Sequence, residues 1–217
     1  MPARLRPTAP LAADAVLVGD PGRALMLAQA LHEQPKMSNH ARGLWGYTGT
    51  TAAGRELSIQ STGMGGPSAA LVLADLAELG VRRAIRVGSC AGLSPHARSG
   101  QLLIVTEAHA WSGGGAGAPT YPDPDLLTGL QEELGPEAET AIVASLDTLH
   151  GGDDAPATAG DAADMQTATL FARGRKLEVA MAAVLVVSEC GEEQLGDEAL
   201  ELAAKQAGLA AAAVLST

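Results

Sequence analysis

Aromatic side chains are almost missing from this chain, which has two Trp, two Tyr and one Phe in 217 residues. Its core must therefore be aliphatic, and Trp45, Tyr47, Trp111, Tyr121 and Phe171 stand out singly. Cysteine is nearly as scarce. Cys90 and Cys190 are too few and too far apart for a disulfide framework or a closed zinc site, which leads us to expect a reducing compartment and no metal. Positive charge is short too: 14 Lys+Arg face 25 Asp+Glu, a formal net charge of −11. Such a chain repels polyanions and has no basic stripe, so nucleic acid is excluded as a partner. No stretch approaches the roughly 20 apolar residues of a membrane-spanning helix, and no signal-peptide pattern opens the chain. A soluble, cytoplasmic protein without a membrane partner is expected. Internal repeats, heptads and long charge runs are also lacking, which sets aside solenoids and coiled coils.

With 47% hydrophobic residues in 217, the chain has enough apolar surface for one sizeable core, and a single domain over 1–217 is expected. Apolar runs of strand length alternate with helical patterns throughout, the signature of an α/β protein. The spacing predicts strands at 15–18, 84–87, 102–105, 140–144 and 180–187, and a hairpin of 45–51 with 55–61 around Gly54. Helices are predicted from Pro21 to Leu31, from Pro67 to about Gly80, and over 164–176 and 197–213. The Gly-, Pro-, Ala- and Asp-rich segments 112–124 and 151–161 read as connections, either of which would be placed to cover a pocket.

In so acidic a chain, the positions of three arginines carry information. Arg23 follows the Gly19-Asp20-Pro21-Gly22 turn, Arg42 precedes Gly43, and Arg86 lies in Ile85-Arg86-Val87-Gly88-Ser89. The planar guanidinium matches an oxyanion through two hydrogen bonds at a time. Open α/β sheets bind ligands beyond the carboxyl ends of their strands, which is where Gly19, Arg23, Arg86 and Ser89 are expected. Together these groups would satisfy inorganic phosphate. Each signal is weak alone: a Gly-Pro turn before a helix is common, and most arginines are simply solvated.

Four segments in register carry more weight: Gly19-Asp20-Pro21-x-Arg23, Arg42-Gly43-x-x-Gly46-Tyr47-Thr48-Gly49, Thr62-Gly63-Met64-Gly65-x-Pro67-Ser68 and Arg86-Val87-Gly88-Ser89-Cys90. In these the chain resembles the hexameric-type nucleoside phosphorylases, the group of bacterial purine nucleoside phosphorylase and uridine phosphorylase. The resemblance is close over about residues 15–110 and looser beyond. It implies a three-layer α/β/α fold around a central mixed, twisted sheet. It implies phosphate-dependent cleavage of a nucleoside to free base and ribose 1-phosphate, with phosphate as co-substrate and no other cofactor. By the same resemblance, Gly19, Arg23, Arg86 and Ser89 hold phosphate, and Arg42 reaches into a neighbouring subunit. A homodimer is then the smallest complete unit, with a hexamer, a trimer of dimers, as the larger alternative. Met64, Met165 and Gln166 fall at the ribose; Cys90, Ala91 and Leu149 fall at the base; Glu189 stands where the family's general acid is.

The chain also departs from that family. Gln166 replaces a Glu that holds the ribose hydroxyls, Glu189 replaces an Asp, and Ala91 replaces a Gly. No Arg follows the acid in Cys190-Gly191-Glu192-Glu193, and the amino-terminal His lent to a neighbour is missing. Ser89-Cys90, and a 145–154 loop without the Gln and Arg that read uracil, lean towards purines. The alternatives are a non-catalytic or impaired phosphate or nucleoside binder, and, further off, a uridine phosphorylase or a nucleoside hydrolase.

Overall fold

The computed structural model describes residues 4–112, 115–148 and 159–217. In chain order the elements are β1 (Asp14–Val18), α1 (Pro21–Leu31), β2 (Lys36–Asn39), β3 (Gly46–Thr50), β4 (Glu56–Ser61), α2 (Gly65–Glu78), β5 (Arg83–Gly92), β6 (Leu102–Ser112), β7 (Gly115–Ala116), α3 (Pro124–Leu134), β8 (Ala138–Leu146), β9 (Ala162–Asp164), α4 (Thr167–Leu177), β10 (Ala180–Cys190), β11 (Glu193–Gln194) and α5 (Asp197–Leu215).

Parallel pairing of β1 with β4 and β5, and of β5 with β10, builds the centre of one mixed sheet. β10 also pairs with β6, and β9 bridges β8 to β5, so β5, β10, β6, β8 and β9 close on themselves. The antiparallel β2–β3–β4 meander extends the other edge. Both faces of the centre are covered, which is why its strands read as continuous apolar runs. In β1, Val16 and Val18 meet Leu27 of α1, Leu130 of α3 and Ala207 of α5 in one core. Ala15 and Leu17 point the other way, to Leu73 of α2 and Leu170 of α4. Each fully buried Leu contributes about 1.5–3 kcal/mol. Small residues let the layers approach: a Cβ on Gly208 of α5 would run into Leu27 Cδ2.

The expected strands and hairpin are all present, most of them longer than their apolar runs, and so is the helix over 197–213. Two expectations are corrected and one helix is added. The helix expected from Asp164 starts at Thr167, because the Asp164 carboxylate accepts the Thr167 N–H (3.0 Å) and ends β9 in a turn. Segment 112–124 is more than a connection: it contains β7, Ala108 and Thr120 exchange backbone hydrogen bonds of 2.8 and 2.7 Å, and Ala118 to Asp123 line a pocket against α4 and β10. Helix α3 was not foreseen, although Asp123 caps it, Pro124 opens it, and Leu126, Leu130 and Leu134 give it a buried stripe. Among the described residues no helix is long and apolar enough to cross a membrane.

Candidate active site

A cavity of about 850 Å³ lies where β1, β4, β5 and β10 end, and five segments distant in sequence wall it. The Gly19 turn supplies Asp20, Pro21 and Arg23; the second glycine turn supplies Gly63, Met64 and Gly65. β5 contributes Arg86, Gly88, Ser89 and Cys90, while Asp164, Met165 and Gln166 enter from the β9–α4 turn. Ser188 and Glu189 come from the end of β10.

The local reasons are in the sequence. Asp20 caps α1 by accepting the Arg23 N–H at 2.8 Å, which places the Arg23 side chain on the first turn of that helix. Gly63 and Gly65 have φ of +72° and +77°, so the turn before α2 needs residues without a Cβ. The amino termini of α1 and α2 thus both flank the cavity, adding the positive ends of two helix dipoles. A bulge in β10 against β5, between Val187 and Glu189, sets the strand end from which Glu189 lines the cavity.

Arg86 is the most constrained group. It is 5% exposed, and its guanidinium lies across Gly88, where a Cβ would come within 2.5 Å of Cζ and Nη2. Nη2 pairs with Asp164 Oδ2 at 3.1 Å, Nε donates to Thr167 Oγ1 at 3.2 Å, and Nη1 donates to Gln166 Oε1 at 2.8 Å. A guanidinium has five N–H groups. Among the described residues, one N–H on each terminal nitrogen is therefore left to offer a ligand. Asp164 is itself held by Ser145 Oγ and Thr167 Oγ1, both at 2.5 Å, so the ion pair is buried with its lone pairs satisfied.

Arg23 is half-buried and close enough to Arg86 to feel it. Burial, and next the positive charge of Arg86, hold the Arg23 guanidinium below its ordinary pKa, with Asp20 and Glu201 acting in the opposite sense. Two cations of one sign facing one cavity repel, and an anion between them would relieve that repulsion. Cys90, fully buried, has its thiol pushed well up by burial and next by Asp164, so it stays protonated and is no nucleophile. Among the described residues no three His, Cys, Asp or Glu side chains gather as a metal ion would need.

Of the expected site residues, Gly19, Arg23, Arg86, Ser89, Met64, Met165, Gln166, Cys90 and Glu189 line this one cavity. Ala91 does not, although it lies beside Glu189 in the sheet register. Arg42 does not either: it is exposed on the Ala41–Gly43 turn with φ of 61°, a conformation uncommon for a residue bearing a side chain. Leu149 lies outside the described residues. Ser145, Thr62 and Thr167 were not anticipated, since isolated hydroxyls carry no signal before folding brings them together.

Residues 14–217 match the family described as Phosphorylase superfamily. The chain is 32% identical over 199 residues to a DeoD-type purine nucleoside phosphorylase of Clostridium beijerinckii, with 84% of this chain and 83% of that one covered. It is 30% identical over 203 residues to the DeoD-type purine nucleoside phosphorylase of Lactococcus lactis subsp. cremoris, covering 86% of each. Among solved structures it resembles purine nucleoside phosphorylase from Toxoplasma gondii in complex with immucillin-H (TM-score 0.81, 20% identity, 95% of this chain and 90% of that one). It also resembles uridine phosphorylase from Vibrio fischeri (TM-score 0.78, 22% identity, with the same coverages). Sequence match and shared architecture agree: the chain belongs to the phosphorylase superfamily.

Proposed function

We propose that this protein is a purine-type nucleoside phosphorylase, which uses inorganic phosphate to cleave the N-glycosidic bond of a nucleoside and releases free base and ribose 1-phosphate. The observation that carries the reading is the convergence of Arg23 and Arg86 on one cavity at the strand ends. Phosphate is held by the Arg23 guanidinium, the two remaining N–H groups of Arg86, the Ser89 hydroxyl and the backbone at Gly19. Asp164 orients Arg86 without consuming its outward N–H groups. The nucleoside lies with its sugar against Met64 and Met165 and its base towards Cys90 and Glu189.

In the reaction a phosphate oxygen forms a bond to the anomeric carbon as the carbon–nitrogen bond breaks, and its electron pair leaves with the base. Glu189, as general acid, hands its proton to the base, so that no free anion departs. Positioning the nucleophile and neutralising the leaving group are the two tasks of the site. Arg42 is read as a residue lent to a neighbouring subunit: it is exposed, away from its own cavity, and held with positive φ. The exposure of Met64, 87% at the cavity wall, fits a site completed by ligand and partner. The working unit is thus a homodimer, or a hexamer built from dimers. The reading takes 1–217 as one domain and places it in the cytoplasm, with no cofactor besides phosphate.

A panel of purine and pyrimidine nucleosides, assayed for free base with and without millimolar phosphate, tests the proposal. Phosphate-dependent release from a purine nucleoside is expected. No release from any member, with phosphate bound calorimetrically, would instead make the protein a non-catalytic binder, which the loss of the ribose-binding Glu at Gln166 favours. Release without phosphate would make it a hydrolase.

A further inference from the structure

Gln166 lines the cavity yet is 2% exposed, and its amide is occupied on every side by the protein. Nε2 donates to the carbonyl oxygens of Gly63 at 2.6 Å and Gly65 at 3.3 Å. Oε1 accepts from Arg86 Nη1 at 2.8 Å. The Thr62 hydroxyl lies 3.0 Å from both Gln166 Oε1 and Val18 O and shares its one proton between them. An amide has two donors and one oxygen with two lone pairs, and all are used here. One side chain thereby ties the glycine turn after β4 to the guanidinium on β5 and, through Thr62, to the end of β1.

We infer that Gln166 is a positioning residue, a latch that fixes the Gly63–Gly65 turn and Arg86 relative to each other, and that it does not bind the sugar hydroxyls of the substrate. The inference rests on the proposed phosphorolysis for its kinetic arm only. A sugar hydroxyl could reach the amide only by displacing a bond to Arg86 or to the turn, which would loosen the phosphate side of the site. The residue type follows from the same geometry. A carboxylate at this position would keep the Arg86 contact but set an acceptor against two carbonyl oxygens, so Gln166→Glu would cost the turn its anchor rather than supply a better sugar ligand.

The test uses the full-length protein and the variants Gln166→Ala and Gln166→Glu. Phosphate binding is measured by calorimetry, backbone hydrogen exchange is followed at residues 63–66, and kcat/KM is compared for a ribonucleoside and its 2′-deoxy counterpart. As a latch, Gln166→Ala raises the phosphate Kd and KM about tenfold, the factor expected for a lost hydrogen bond to a charged group. It speeds exchange at 63–66 and leaves the ribo-to-deoxy ratio of kcat/KM as in wild type. Gln166→Glu does the same to the turn and does not raise kcat. A collapse of the ribo-to-deoxy ratio in Gln166→Ala, with phosphate Kd and exchange unchanged, would overturn the inference. So would a gain in activity with Gln166→Glu. Should wild type cleave no nucleoside, the proposed function fails, while the exchange and phosphate arms still decide the latch; exchange at 63–66 unchanged in both variants would then sink it.

Discussion

Replacing Gly88 by alanine changes one methyl group and is aimed at the most constrained group of the site. Gly88 lies in the interior of a strand without positive φ, so alanine is acceptable to the backbone and any effect comes from the space its Cβ needs. That Cβ would lie 2.5 Å from Arg86 Cζ and Nη2 and 2.9 Å from Leu185 Cδ2, well inside contact distance. Arg86 cannot swing aside without losing Asp164, Thr167 and Gln166. Overpacking alone costs about 1–3 kcal/mol, and full rupture of the buried Arg86–Asp164 pair about 3–5 kcal/mol. At about 2–4 °C per kcal/mol for a domain of this size, Tm should fall by roughly 2–12 °C from overpacking alone and by up to about 20 °C if the pair breaks. Phosphate KM should rise at least tenfold, because the outward N–H groups of Arg86 move with the rest of the guanidinium. Thermal unfolding followed by circular dichroism, together with phosphate titration of the initial rate, reads both effects. A Gly88→Ala protein with wild-type Tm and wild-type phosphate KM would refute the account of how Arg86 is held.

Three further outcomes follow from the same geometry. Arg23→Ala removes a cation disfavoured by burial and by Arg86, so phosphate KM should rise about tenfold to a hundredfold while Tm in phosphate-free buffer stays level or rises; a clear loss of Tm there would show that Arg23 is structural. Glu189→Gln should lower kcat by about 10²–10⁴ with little change in phosphate KM, and unaltered kcat on a purine nucleoside would remove Glu189 from the reaction. Burial raises the Cys90 pKa above its ordinary value of about 8.5, so the folded thiol stays neutral while the unfolded one ionises. Its contribution to stability is therefore fully present below about pH 8.5 and declines as pH rises beyond it; urea unfolding from pH 7 to 10 should show that slope in wild type and a shallower one in Cys90→Ala.

Much of the site was legible in the sequence because it is built from backbone turns with strong local rules. Gly19-Asp20-Pro21-Gly22 announces a strand end and a capped helix, and Gly63-Met64-Gly65 a turn that needs positive φ, before any packing is known. What was not legible is what crosses between elements. The bonds from Gln166 to the 63–65 turn span about a hundred residues, and Ser145, Thr62 and Thr167 acquire meaning only once β8, β4 and α4 meet. The strand lengths were understated for a related reason. β5, β6 and β10 continue past their apolar cores into Ser89-Cys90, His109–Ser112 and Ser188–Cys190, and for β5 and β10 those more polar extensions line the cavity. Helix α3 was legible in principle, since Leu126, Leu130 and Leu134 fall on one face, but the Gly- and Pro-rich stretch before it masked the start. Gly88 has no role of its own in the sequence, whereas in the fold it leaves room for a guanidinium.

The central claim is that Arg23 and Arg86, far apart in the chain, form one anion site. A crystal structure of the protein grown in phosphate tests it most directly. The account predicts tetrahedral density in this cavity, with oxygens about 3 Å from the Arg23 guanidinium and from the terminal nitrogens of Arg86. A fully ordered cavity without that density, with Arg23 turned out to solvent, would contradict it.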